Sequence, residues 1–268
     1  DARYGADRTA VQDQLRNVSQ VHSSQRAFAA IRSDGTVVTW GSPHCGGDSS
    51  SVQAQLQDVM DVRASGDPFG GAFAAALTQD GSVVTWGCAG RGGDSEAVQT
   101  QLRGVRQICA AGAAFAAILV DGSVVTWGHP GTGGDSTHVQ AKLKDVQLIE
   151  ASHKAFAALL RDGSVITWGR EDSGGDCSGV AGELRSVQQI CATAKAFAAL
   201  RSDGSVVTWG DARYGGDSST VQCHLVDIQQ LCAATDLYGG AFAALCVNGS
   251  VVAWGNADYG AGGGILHY

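Results

Sequence analysis

Proline is nearly absent from this chain, with three in 268 residues, and long hydrophobic runs are missing altogether. Without an apolar stretch of about 18 residues there is no candidate membrane-spanning helix. The first residues lack the basic and apolar blocks of a secretory leader. No Cys-x-x-Cys pair occurs, so the eight cysteines do not form a metal knuckle or a disulfide framework. Their spacing predicts small, half-buried thiols in a reducing intracellular or organellar compartment rather than a secreted one. An excess of positive charge is also missing. Eighteen Lys and Arg face 26 Asp and Glu, a formal charge of −8 spread along the chain, which disfavours polyanions such as nucleic acid.

Glycine is abundant instead, at 38 residues. Much glycine with little proline predicts many tight turns, not a collagen or a flexible linker. Self-alignment explains the demand. Trp40, Trp86, Trp127, Trp168, Trp209 and Trp254 are each followed by Gly, at spacings of 46, 41, 41, 41 and 45 residues. A Phe precedes each one: Phe28, Phe73, Phe115, Phe156, Phe197 and Phe242. Between Phe and Trp lies Asp-Gly (Asn248-Gly249 in the last copy), flanked by an Ala-rich strand and a Val-Val-Thr-Trp strand. This is a hairpin pattern, and Asp-Gly predicts a type I′ turn. A unit of about 41 residues has no core of its own, so the copies must stack.

The units run roughly over 1–41, 42–87, 88–128, 129–169, 170–210 and 211–255, with a tail at 256–268, and form one domain. After each Trp-Gly comes a variable four-residue loop, then Gly-Gly-Asp in five units, then a Val-Gln-x-x-Leu type segment. The Asp reads as a turn cap, and the segment as either a single helical turn or a short outer strand. Asp1-Ala2-Arg3-Tyr4-Gly5 repeats Asp211-Ala212-Arg213-Tyr214-Gly215, and Asn256 to Gly260 nearly repeats both. The opening segment is therefore expected to complete the final unit and close an all-β propeller of six blades, leaving no exposed sheet edge.

The motif Phe-Ala-Ala-Leu-x-x-Asp-Gly-Ser-Val-Val-Thr-Trp-Gly, with a Tyr-Gly elbow in some copies, resembles the regulator of chromosome condensation (RCC1-like) repeat family, in its short-repeat form. The resemblance covers essentially the whole chain. It implies a closed β-propeller, usually of seven blades where six hairpins are counted here, and a rigid disc that binds another protein. The Gly-Trp-Arg motif of the light-sensing relatives is missing, because all six Trp belong to the strand motif.

Function is thus expected on variable loops over a constant frame: a non-catalytic scaffold or subunit, without cofactor or metal, bound to another protein or complex. An exchange factor for a small GTPase is the alternative. In the four-residue loops the candidate contacts are His44, Arg91, His129, Arg170 and Tyr214. Two longer loops, each with an aromatic before Gly-Gly, add Asp67, Pro68, Phe69, Asp236, Leu237 and Tyr238 as candidate anchors. His44, Cys45, Cys88 and His129 lie in equivalent loops but lack the tight spacing of metal ligands. His22, Arg63, Cys109, Glu150, Cys191 and Cys232 share one inner-strand position, with no acid–base pairing among them.

Overall fold

The computed structural model describes residues 7–67, 70–77, 80–236 and 238–261. Among these residues the secondary structure is strand and 3₁₀ turn. The chain divides into two compact units, 1–135 and 136–268. Each holds three antiparallel sheets of three strands, ordered as in the sequence. In the first unit these are β1 (Val18–Ser23), β2 (Ala27–Arg32) and β3 (Val37–Gly41); β4 (Val59–Asp67), β5 (Gly70–Leu77) and β6 (Val83–Gly87); and β7 (Val105–Ala110), β8 (Ala114–Leu119) and β9 (Val124–Gly128). The second holds β10 (Val146–Ala151), β11 (Ala155–Leu160) and β12 (Val165–Gly169); β13 (Val187–Ala192), β14 (Ala196–Arg201) and β15 (Val206–Gly210); and β16 (Ile228–Thr235), β17 (Gly240–Cys246) and β18 (Val251–Gly255). The segments on which ring closure was expected to turn include residues 1–5, which lie outside the described residues.

The middle strand of each sheet is the Ala-Phe-Ala-Ala strand, and it is covered on both faces. The first five positions of β8, β11 and β14 are all buried. Alanine keeps these strands thin, while Phe and Trp from paired strands stack at 5.2–5.5 Å between ring centroids and 12–25° between planes. Such offset stacks contribute about 0.5–1.5 kcal/mol beyond their buried area.

The turns differ from the sequence expectation. A type I′ turn needs positive φ at both central residues. Here Gly35 has φ +78°, but Asp34 is not among the residues with positive φ. Gly35 N–H donates to Arg32 O, and Arg32 N–H to Thr36 O. This is the three-residue hairpin, a type I turn closed by a left-handed glycine. The Asp34 carboxylate instead accepts from the Thr36 N–H and hydroxyl. Asp121, Asp162 and Asp203 do the same for Ser123, Ser164 and Ser205. These bonds hold the four carboxyls below their usual range. A side chain that ties the turn from the right-handed region has no need to adopt the left-handed one.

Sheets are joined through an elbow. After Trp-Gly, a 3₁₀ turn such as Ala89–Arg91 ends in a left-handed glycine, Gly92 at φ +92°. That glycine lies on the aromatic stack of the following sheet. A Cβ at Gly92 would fall 2.5 Å from the Phe115 ring. The Trp127 indole N–H donates to Gly92 O at 3.0 Å. Trp86 does so to Gly46, Trp209 to Gly174 and Trp254 to Gly215. Trp168 is also buried, whereas Trp40 is half-buried. Residues 1–5, which precede it in the sequence as the other elbows precede their Trp, lie outside the described residues.

The open alternative for the Val-Gln-x-x-Leu segment resolves as a 3₁₀ turn, as in Gln53–Gln55 and Gln222–His224. The preceding Asp caps the approach to that turn, and in Glu96–Val98 and Ser178–Val180 it takes the N–H of the turn's first residue. Asp48, Asp94, Asp176 and Asp217 each accept from the N–H two residues on.

Replacing Trp127 by Phe keeps a ring on the stack but leaves the Gly92 carbonyl buried without its donor. We expect a loss of about 1–3 kcal/mol, and a larger loss for Gly92→Ala, where a Cβ meets the Phe115 ring. Equilibrium urea unfolding checks both, and the order of the two losses is part of the expectation.

Candidate functional site

The four-residue loops are not uniformly exposed tips. Their two central residues face outward, as at Pro43 and His44 or Ala212 and Arg213, while the fourth turns inward. Cys45, Thr132, Ser173 and Tyr214 are buried. Tyr214, a candidate contact, is therefore a packing residue, 3% exposed within the apolar cluster around Phe242 and Trp254. His44, His129 and Arg170 are exposed. His129 Nδ1 accepts from Gly131 N–H, and Arg170 Nε donates to Asp172.

The two longer loops are built by carboxylates. Asp67 receives Arg91 twice, Nη2 at 3.0 Å and Nε at 3.2 Å, a two-pronged pairing that fixes geometry as well as charge. Both side chains are about four-fifths covered. The structure thus brings together two candidates 24 residues apart, and sets them in the wall of the loop rather than at its tip. Pro68, Phe69 and Leu237 lie outside the described residues.

In the second loop Asp236 Oδ1 accepts from the N–H groups of Tyr238 and Gly239 and from the Tyr259 hydroxyl. These bonds hold the Asp236 carboxyl below its usual range. The bond to Asp236 pushes the Tyr259 hydroxyl up to about 12. Thr235 Oγ1 accepts from Ala194 N–H of the adjacent sheet, anchoring the loop base. Tyr238 is left standing, 84% exposed. The role of Tyr259 was not foreseen. Its signal was present as an Asp at the second position of both insertions, which pointed to loops tied by side chains.

On the inner strands of the second unit, Glu150, Cys191 and Cys232 form a file. Burial raises the Glu150 carboxyl above its ordinary value. The Cys191 thiol is pushed up to about 11, by burial first and then by Glu150 and Cys232. Gln189 lies alongside, with Oε1 accepting from Leu231 N–H and Nε2 donating to Leu231 O, both at 3.0 Å. In the first unit Arg63 Nε donates to Asp61, and burial depresses His22. Among the described residues no three His, Cys, Asp or Glu side chains converge on a point that could hold a metal ion.

With this geometry in hand, the chain can be set beside known proteins. It matches Prp20p from Saccharomyces cerevisiae, studied for its binding to Gsp1p and histones, at 14% identity and a TM-score of 0.53. The match covers 91% of this chain and 73% of that one. The chain has an RCC1-like β-propeller repeat fold. A second structure of the same yeast protein, bound to Kap60, gives 15% identity, a TM-score of 0.52 and coverage of 91% and 71%. The ectodomain of the Physcomitrella patens receptor kinase CR4 gives 16%, 0.51, and coverage of 89% and 62%. No family model and no curated protein matches the sequence. The three-stranded sheets described above are thus RCC1-like blades, and the elbows their connections.

Glu150 gives a pH test. A carboxyl raised on folding favours the fold only while protonated, and that contribution is lost as pH rises through its folded value. Glu150→Gln is therefore expected to raise Tm at pH 8 and leave it unchanged near pH 4. Thermal scans across that range check it.

Proposed function

We propose that this chain is a non-catalytic interaction module that recognises another protein through the exposed residues of its elbows and longer loops. The observation that carries the proposal is the Tyr238 tip. An aromatic ring 84% exposed on a carboxylate-tied loop loses little conformational freedom on binding, the property of an anchor residue. His44, His129 and Arg170 add different chemistry on one constant backbone, so the frame fixes position while the tips set specificity. Asp67 and Arg91 serve this surface by stiffening their loop. The six blades are read as one closed ring that supports it.

Tyr238→Ser removes the ring and leaves Asp236, Gly239 and Tyr259 in place. Affinity capture followed by mass spectrometry is expected to lose specific partners with Tm unchanged. Recovery of the same partners at the same abundance would refute the Tyr238 anchor.

A further inference from the structure

The outer strands β3, β6 and β15 are each closed by a polar clip. In the first, Gln53 Nε2 donates to Val37 O at 2.9 Å, and its Oε1 accepts from the Ser49 hydroxyl at 2.9 Å. Thr39 Oγ1 lies 2.9 Å from that hydroxyl. Gln99, Ser95 and Thr85 repeat the arrangement on Val83 O. Gln222, Ser218 and Thr208 repeat it on Val206 O. Each time, a primary carboxamide spans a hydroxyl and a main-chain carbonyl on the strand edge.

On β12 the clip is absent. Its glutamine position is Ala181 and its serine position is Cys177. Thr167 has turned its hydroxyl to Gly175 O at 3.0 Å. The residues that would surround the missing amide, Val165, Thr167, Cys177 and Ala181, line a groove of about 470 Å³. The corresponding groove along β6, where Gln99 is present, measures about 370 Å³. Val165 and Thr167 are buried at its floor, Cys177 is half-buried and Ala181 is exposed, so the groove is open to solvent.

We propose that this groove binds a primary carboxamide, the group borne by glutamine and asparagine. Its NH₂ donates to Val165 O, as Gln53 does to Val37 O, and its carbonyl accepts from the Cys177 thiol, the Thr167 hydroxyl being given to Gly175 O. A carboxylate of the same shape is rejected, because it carries no donor for the Val165 carbonyl. The site shares no residue with the Tyr238 tip, so either reading can fail alone.

Titration of the ¹⁵N-labelled chain with N-acetyl-glutamine methylamide tests it. Saturable shifts are expected at the amides of Val165 to Thr167 and Cys177 to Ala181. N-acetyl-glutamate methylamide should bind about tenfold more weakly, the loss that one unmade hydrogen bond carries. Ala181→Gln supplies a carboxamide to Val165 O from within and should abolish the shifts without lowering Tm. Free L-glutamine is a further arm: tighter binding of the capped compound marks a polypeptide ligand, and tighter binding of the free amino acid marks a metabolite. The proposal is overturned if no saturable shift occurs, if glutamine and glutamate compounds bind alike, or if folded Ala181→Gln binds as before.

Discussion

The structure depends on one hydrogen bond made repeatedly, from the indole N–H of a strand tryptophan to the carbonyl of the glycine that ends the preceding elbow. The bond is 2.9 or 3.0 Å long at Trp86, Trp127, Trp209 and Trp254, and buried at each. A buried carbonyl without a donor is costly, so each of these four elbows is committed to the sheet that follows it. The Phe ring adds the steric half of the lock, because it fills the space a Cβ would need. Glycine, phenylalanine and tryptophan are therefore one constraint seen at three positions, with 35 to 40 residues between the glycine and the tryptophan.

That commitment explains why a thin, alanine-rich sheet is stable. Each sheet has a small apolar cross-section, and its core is shared with its neighbour. In the cluster around Trp127, Ala72, Ala74 and Val83 come from one sheet, and Val105, Ile108, Phe115 and Ala117 from the next. The cluster around Trp209 repeats this in the second unit with Ala155, Ala157 and Val165 against Val187, Ile190 and Phe197. Stability of this kind is a sum of interfaces between neighbours. Residues outside the lock are then free to differ, which is where the exposed tips at His44, His129 and Arg170 and the altered clip at Cys177 and Ala181 are found.

The lock positions, the strands and the unit period were legible in the sequence because they recur in register, and repetition separates constraint from drift. The hairpin turn was misread because Asp-Gly carries two meanings. The pair permits positive φ at both residues, yet an Asp whose carboxylate binds the following Ser or Thr keeps its own φ negative. The inward turn of Tyr214 was hidden for a related reason. Its loop varies in sequence, and variability was taken for exposure, although the fourth position accepts Cys, Thr, Ser or Tyr according to the space beneath. Contacts such as Asp67 with Arg91 and Asp236 with Tyr259 cross between repeats, so no spacing within one repeat announces them.

Hydrogen exchange at the indole N–H groups interrogates the lock directly, since each is a resolvable proton on the bond itself. The indole protons of Trp86, Trp127, Trp209 and Trp254 are expected to exchange only through global or whole-blade opening, with protection that falls together in denaturant. Indole protons that exchange at the rate of free tryptophan while the strand amides stay protected would contradict it.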